Sequence, residues 1–208
     1  LGTTTDNWLS MDNRFKFSKR LAAERISMKY SAKIMVSTKQ ERDEQYAHPL
    51  YINALDQSDQ TKFEIIPPGV NENIFGQTPT RTDDKLKPKL DIIFGANSDS
   101  VILVSSRLDE KKNIIGVVQA YAEDNALIEK AHLVLCFRGI NDPATEIHKL
   151  SKEEQIILRK ILNIIERGHI QKHVHFLNIG SQLELAATYR YFAQRGSVFA
   201  LTSLYEPF

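Results

Sequence analysis

From residue 99 onward the chain alternates short β-prone apolar runs with segments of helical periodicity. The apolar runs fall at residues 101–106, 132–137, 174–177 and 197–202, and the helical segments at 114–123, 152–167 and 182–194. Strands separated by helices of this length call for right-handed βαβ crossovers and a parallel, doubly wound sheet. Runs such as Val101-Ile-Leu-Val carry no polar alternation, as expected of strands covered on both faces. A parallel sheet gathers its ligands beyond the carboxyl ends of its strands. Arg107 stands at that end of the first run, and Lys112 comes five residues later where a helix is expected to begin. Two cations beside free backbone N–H groups and the positive end of a helix dipole would hold a diphosphate.

The first third reads as a further αβ arrangement. Residues 14–30 are rich in helix formers, 33–37 read as a strand, 39–46 as a helix, and 63–66 as a strand stopped by Pro67-Pro68-Gly69. Residues 71–98 combine Gly76, Pro79, Pro88 and Gly95 with many polar side chains, the composition of a segment crossing between domains. Domains are therefore expected at 1–75 and 99–208, joined by a crossing segment at 76–98.

Composition narrows the functional classes. With 27 Lys and Arg against 26 Asp and Glu in 208 residues, the net charge is +1, which gives no reason to propose nucleic acid or an anionic membrane as a partner. No apolar stretch is long enough to span a bilayer. The single cysteine, Cys136, lies inside an apolar run, where a reduced buried thiol is expected, and a cytoplasmic location with it. His173-x-His175 puts two imidazoles on one strand face without a third ligand at sensible spacing, and no Asp-x-Asp pair occurs, so no metal site is expected. No Gly-x-Gly-x-x-Gly comes after any strand, which disfavours a dinucleotide-binding dehydrogenase.

Five segments together point to a family: Ala23-Glu24-Arg25-Ile26-Ser27, residues 34–42, Ile65-Ile66-Pro67-Pro68-Gly69-Val70-Asn71, residues 105–113, and residues 196–208 ending in Glu206-Pro207-Phe208. In order and spacing they resemble the retaining glycosyltransferases of family 4, and within it the sucrose-phosphate synthase branch. The resemblance implies the GT-B architecture, two Rossmann-like domains facing across a cleft. This chain would hold the end of the first and the start of the second, and so reads as a fragment. It also implies glucosyl transfer with retention from UDP-glucose to fructose 6-phosphate, without a cofactor or a metal in the chemistry. A sucrose synthase-like acceptor, or a non-catalytic sugar-nucleotide-binding module, are the alternatives.

Residue by residue, the resemblance gives Arg107 and Lys112 the diphosphate, and Glu206 the hydroxyls of the transferred sugar, with Phe208 in the same motif. Arg138, Gly139, Asn178 and Gln182 become donor-site candidates, Gln182 for the edge of the uracil. Asn178-Ile-Gly-Ser is equally ordinary turn and cap chemistry. Lys19 and Arg20 match a basic pair that meets the acceptor phosphate, while Arg20 could instead pair with Glu24 one turn on.

Overall fold

The computed structural model describes residues 12–51, 53–55, 59–95 and 100–204. The chain divides into two compact units, one ending at Gly69 and the other beginning at Val70.

In the first unit, α1 (Phe17–Tyr30) leads to β1 (Ile34–Val36), a π-helical turn at Glu41–Gln45, and β2 (Phe63–Ile65). β1 and β2 pair in parallel, Ile34 opposite Phe63 and Val36 opposite Ile65. The single helix expected over 14–30 is broken at Lys16, whose φ of 55° is left-handed. Asp12 accepts hydrogen bonds from the Ser18 N–H at 2.6 Å and the Ser18 hydroxyl at 2.7 Å. These contacts satisfy donors at the start of α1 and set the break.

The second unit contains α2 (Glu72–Phe75), α3 (Arg81–Phe94), β3 (Ser100–Ser105), α4 (Ile114–Glu123), α5 (Asn125–Lys130), β4 (Ala131–Phe137), α6 (Pro143–Glu146), α7 (Lys152–Arg167), β5 (Val174–Asn178), α8 (Gln182–Ala193) and β6 (Val198–Phe199). Its sheet has the order β5-β4-β3-β6, every pair parallel. Side chains alternate across a strand, so β4 feeds two cores. Leu133, Leu135 and Phe137 join Val118 of α4 and Leu158 and Ile161 of α7. Val134 and Cys136 join Leu90 of α3 and Phe192 of α8 on the other face. That is the doubly wound α/β arrangement expected from the alternation of strands and helices.

Much of residues 76–98, read from composition as a crossing segment, is helical. α3 forms despite Pro88 in its interior. Thr80 accepts from the Thr82 N–H at 3.2 Å, while the Asp83 carboxylate accepts from the Thr80 N–H at 2.7 Å, so the helix start is capped. Leu90, 1% exposed, anchors its inner face. Tertiary packing outweighs the hydrogen bond that proline removes. The strand expected over 197–202 shortens to two residues, and the short helices α5 and α6 lack a sequence signal strong enough to predict them.

At the amino-terminal edge of this sheet, His132 and His175 share a hydrogen bond of 2.8 Å, and the His175 ring meets Phe94 edge-on at 4.9 Å. Burial, then the nearby His132 and His173, push His175 down to about 4. A histidine whose folded value lies below its ordinary one takes its proton first in the unfolded chain. Its neutral form therefore contributes fully above about pH 6.5, and stability is lost as pH falls toward 4. The urea midpoint at pH 5 is expected below that at pH 7.5, with the gap narrowed in His175→Phe; equal midpoints for the parent would refute this linkage.

Candidate functional site

The four strands described in the second unit run the same way, so the loops after β3, β4, β5 and β6 emerge along one edge. A pocket of about 320 Å³ opens there. Its walls include Arg107 after β3, Arg138 after β4, and Ser181 and Gln182 at the start of α8. Three residues singled out from distant stretches of sequence are thus brought together. Arg107, Arg138 and Gln182 are exposed, and neither guanidinium has a hydrogen bond or ion pair among the described residues.

The turn carrying Arg107 to Lys112 is fixed by its own backbone. The Asp109 N–H donates to the Arg107 carbonyl at 2.8 Å, and the Asp109 carboxylate accepts from the Lys111 N–H at 2.9 Å. A short 3-10 turn, Glu110–Lys112, comes next, and Asn113 at φ 52° starts α4. Lys112 is partly buried on this turn and does not line the pocket wall. The segment after β6 is stitched to the same turn. The Leu204 N–H donates to the Lys111 carbonyl at 2.8 Å, and the Thr202 hydroxyl approaches the Lys112 carbonyl at 3.4 Å. The chain leading to Glu206 is thereby held beside Lys112, while Glu206 and Phe208 themselves lie outside the described residues.

The loop after β5 becomes the start of α8. Ser181 caps this helix, its hydroxyl accepting from the Glu184 N–H at 3.2 Å, and the Glu184 carboxylate accepts from the Gly180 N–H at 2.7 Å. The positive end of a 12-residue helix therefore forms part of the pocket wall. Glu154 also lines the pocket, with its carboxylate committed to the Ser151 N–H at 3.0 Å and the Ser151 hydroxyl at 2.8 Å in the capping box of α7. Sequence reasoning passes over Glu154, although Ser151-x-x-Glu154 carries a capping-box signature. Cys136 lines the pocket floor, and burial pushes its thiol up to about 12, which excludes a thiolate nucleophile at neutral pH.

Gly139 and Asn178 are placed differently from the two arginines. The Gly139 N–H donates to the Asn178 Oδ1 at 2.8 Å, and the Asn178 Nδ2 donates to the Asn141 Oδ1 at 2.9 Å. Their polar groups engage each other beside the pocket and neither residue lines it.

Lys19 and Arg20 lie exposed in the first turn of α1, in the first unit. The alternative for Arg20, an ion pair with Glu24, is not formed: Glu24 accepts the Tyr51 hydroxyl at 2.8 Å instead. Among the described residues no three His, Cys, Asp or Glu side chains are arranged to hold a metal ion, and no helix is long and apolar enough to cross a membrane.

No protein-family model matches the chain. A probable sucrose-phosphate synthase of Thermosipho melanesiensis is 38% identical over 197 residues, covering 95% of this chain and 40% of that protein. Sucrose synthase 5 of Oryza sativa subsp. japonica is 27% identical over 233 residues, covering 97% of this chain and 26% of that protein. A solved sucrose-phosphate synthase from Thermosynechococcus elongatus superposes with a TM-score of 0.59 at 22% identity, covering 92% of this chain and 40% of the other. The chain therefore spans well under half the length of these relatives. Its similarity to sucrose-phosphate synthases, first drawn from five motifs, extends along nearly all of it, and its fold matches that of the corresponding part of a GT-B enzyme.

Proposed function

We infer that this chain is part of a cytoplasmic sucrose-phosphate synthase-like glycosyltransferase, which moves glucosyl from UDP-glucose to fructose 6-phosphate with retention and releases UDP. The observation that carries the reading is the convergence of Arg107, Arg138 and the start of α8 on one pocket at the carboxyl edge of a parallel sheet. That constellation suits a diphosphate, in a chain 38% identical to a probable sucrose-phosphate synthase.

Breaking the glycosidic bond leaves negative charge on the departing diphosphate. Arg107 and Lys112 stabilise that charge, with the dipole of α8 oriented to help, and the chemistry needs no metal. Gln182, at the first position of α8, presents an amide to the uracil edge. Glu206 and Phe208, beyond the segment stitched to Lys111 and Lys112, meet the transferred sugar. The leaving phosphate receives the proton of the attacking acceptor hydroxyl on the same sugar face. In the first unit, Lys19 and Arg20 meet the acceptor phosphate. The basic start of α1, with Lys19 and Arg20 both exposed, favours this over the alternative of an unphosphorylated acceptor, as in a sucrose synthase-like enzyme.

Calorimetric titration of the chain with UDP and ADP, and a turnover assay of the complete protein with UDP-glucose and either fructose 6-phosphate or fructose, test the reading. UDP is expected to bind more tightly than ADP, and sugar phosphate to be consumed in preference to free fructose. Turnover with fructose alone would assign the sucrose synthase-like activity. UDP binding without turnover would assign a binding module, and neither binding nor turnover would overturn the reading altogether.

A further inference from the structure

The loop that presents Arg138 has little to hold it from its own side chain. Arg138 is exposed and its guanidinium has no hydrogen bond or ion pair among the described residues, so its position is set by the backbone on which it sits. That backbone turns sharply: Gly139 has φ 82°, in the left-handed region where glycine is favoured. Beyond it Ile140, 2% exposed, plugs into the core, and the Asn141 N–H donates to the Glu146 carboxylate at 2.7 Å. Glu146 is in turn paired with Lys149 at 2.6 Å. The far side of the loop is therefore anchored on α6 and its flank.

The near side is anchored by one residue. Asn178, opposite Phe137 in the register of β4 and β5, reaches across the strand ends. Its Oδ1 accepts the Gly139 N–H, and its Nδ2 donates to Asn141. The Gly139 donor fixes which end of the carboxamide is oxygen, and the other end then points its donor at the Asn141 Oδ1. Both ends of the side chain have partners before any ligand arrives. Asn178 thus clamps the residue after Arg138 and the residue three after it. A side chain so engaged serves a ligand through the groups it holds in place.

The geometry points to Asn178 as a positioning residue of the donor site: its carboxamide clamps the turn at Gly139 and Asn141 so that Arg138 stands over the pocket toward the nucleoside diphosphate. This rests on the donor-site reading above and adds a residue that acts through Arg138. The family resemblance instead sets Asn178 among direct donor contacts. Ordering a cation in advance lowers the cost of fixing it on binding.

The test is a double-mutant cycle on the chain, with UDP as the probe in calorimetric titrations. Arg138→Met is expected to weaken UDP binding about tenfold, the scale of one charge-assisted hydrogen bond, and Asn178→Ala about fivefold. The double variant is expected to bind within twofold of Arg138→Met alone, because the clamp has nothing left to position. Thermal melting supplies the contrast: the loss of melting temperature from Asn178→Ala should be the same with and without Arg138. If Asn178→Ala does not fold, Asn141→Ala removes only the outer bond of the clamp and should show the same coupling at a smaller size. Additive losses in UDP affinity, or full affinity in Asn178→Ala, would overturn the positioning role while leaving the donor-site reading standing. A parent chain that binds no UDP would overturn both.

Discussion

Replacing Arg190 by methionine is expected to destabilise the second unit by about 1.5–3 kcal/mol, the scale of losing hydrogen bonds to a charged group at a half-buried site. Arg190 of α8 holds Asp83 of α3 through two parallel hydrogen bonds, Nε to Oδ1 at 2.7 Å and Nη2 to Oδ2 at 2.8 Å. Its remaining Nη1 donates to the carbonyls of Ile74 at 2.9 Å and Gly76 at 3.0 Å, at the end of α2. The two side chains are only 12% and 16% exposed. Removal of the guanidinium would leave the half-buried Asp83 carboxylate with only its Thr80 partners and take a donor from two half-buried carbonyls at once, and losing a partner at such a site costs more than the bond contributed. Domain stability is about 5–15 kcal/mol in total, so this one change removes a large share of it.

The same pair carries a pH signature. The Arg190 guanidinium holds the Asp83 carboxyl well below the usual carboxylate range, against a smaller opposing effect of burial. A depressed carboxyl contributes stability that is complete above the unfolded value near 4, and that is lost as pH falls through the folded value. In Arg190→Met this acid-range dependence should shrink to the part that the Thr80 N–H and hydroxyl, which also hold the Asp83 carboxyl down, sustain alone. Asp83→Asn combined with Arg190→Met should recover part of the loss, because it removes the charge that lost its partner. Urea denaturation monitored by circular dichroism measures all three, and a single variant within 1 kcal/mol of the parent would show that the clamp contributes only as a surface pair does.

This clamp is not legible in the sequence, and the reason is general to the chain. Features determined by local pattern are recovered: α4 and α7 have the expected bounds, Ile114–Glu123 and Lys152–Arg167, because each carries an apolar stripe that buries against one face of the sheet. β3 and β4 are right within a residue, since strands covered on both faces read as unbroken apolar runs. α3 is missed because Pro88 and a polar surface look like a breaker, while its stability comes from Leu90 and from partners about a hundred residues away in α8. The candidate site divides in the same way. Arg107, Arg138 and Gln182 can be named because each comes just after a recognisable strand, and parallel strands deliver their outgoing loops to one edge. The bond between Gly139 and Asn178 joins residues 39 positions apart, and no spacing rule announces that an asparagine will commit its carboxamide to a neighbouring loop.

The largest functional effect is expected at Arg107 and Lys112. If they stabilise charge that grows on the diphosphate as the glycosidic bond breaks, then losing either should lower kcat more than it weakens sugar-nucleotide binding. One preorganised electrostatic contact of this kind is worth on the order of 10²–10³ in kcat, about 2.7–4 kcal/mol. The structure favours Arg107 as the more direct of the two, since it lines the pocket and has no ion pair among the described residues. Lys112 stands on the adjoining turn, against the segment that leads toward Glu206. Charge is separated from packing by near-isosteric neutral variants measured in the complete protein. Lys112→Met keeps most of the stem, and Arg107→Gln keeps a hydrogen-bonding head. A large fall in kcat for both, with a smaller change in UDP affinity and an unchanged circular dichroism spectrum, is the expected result. Near-parental kcat in both variants, or a parent that turns over only with added Mg²⁺, would show that the leaving-group charge is met by something other than these two cations.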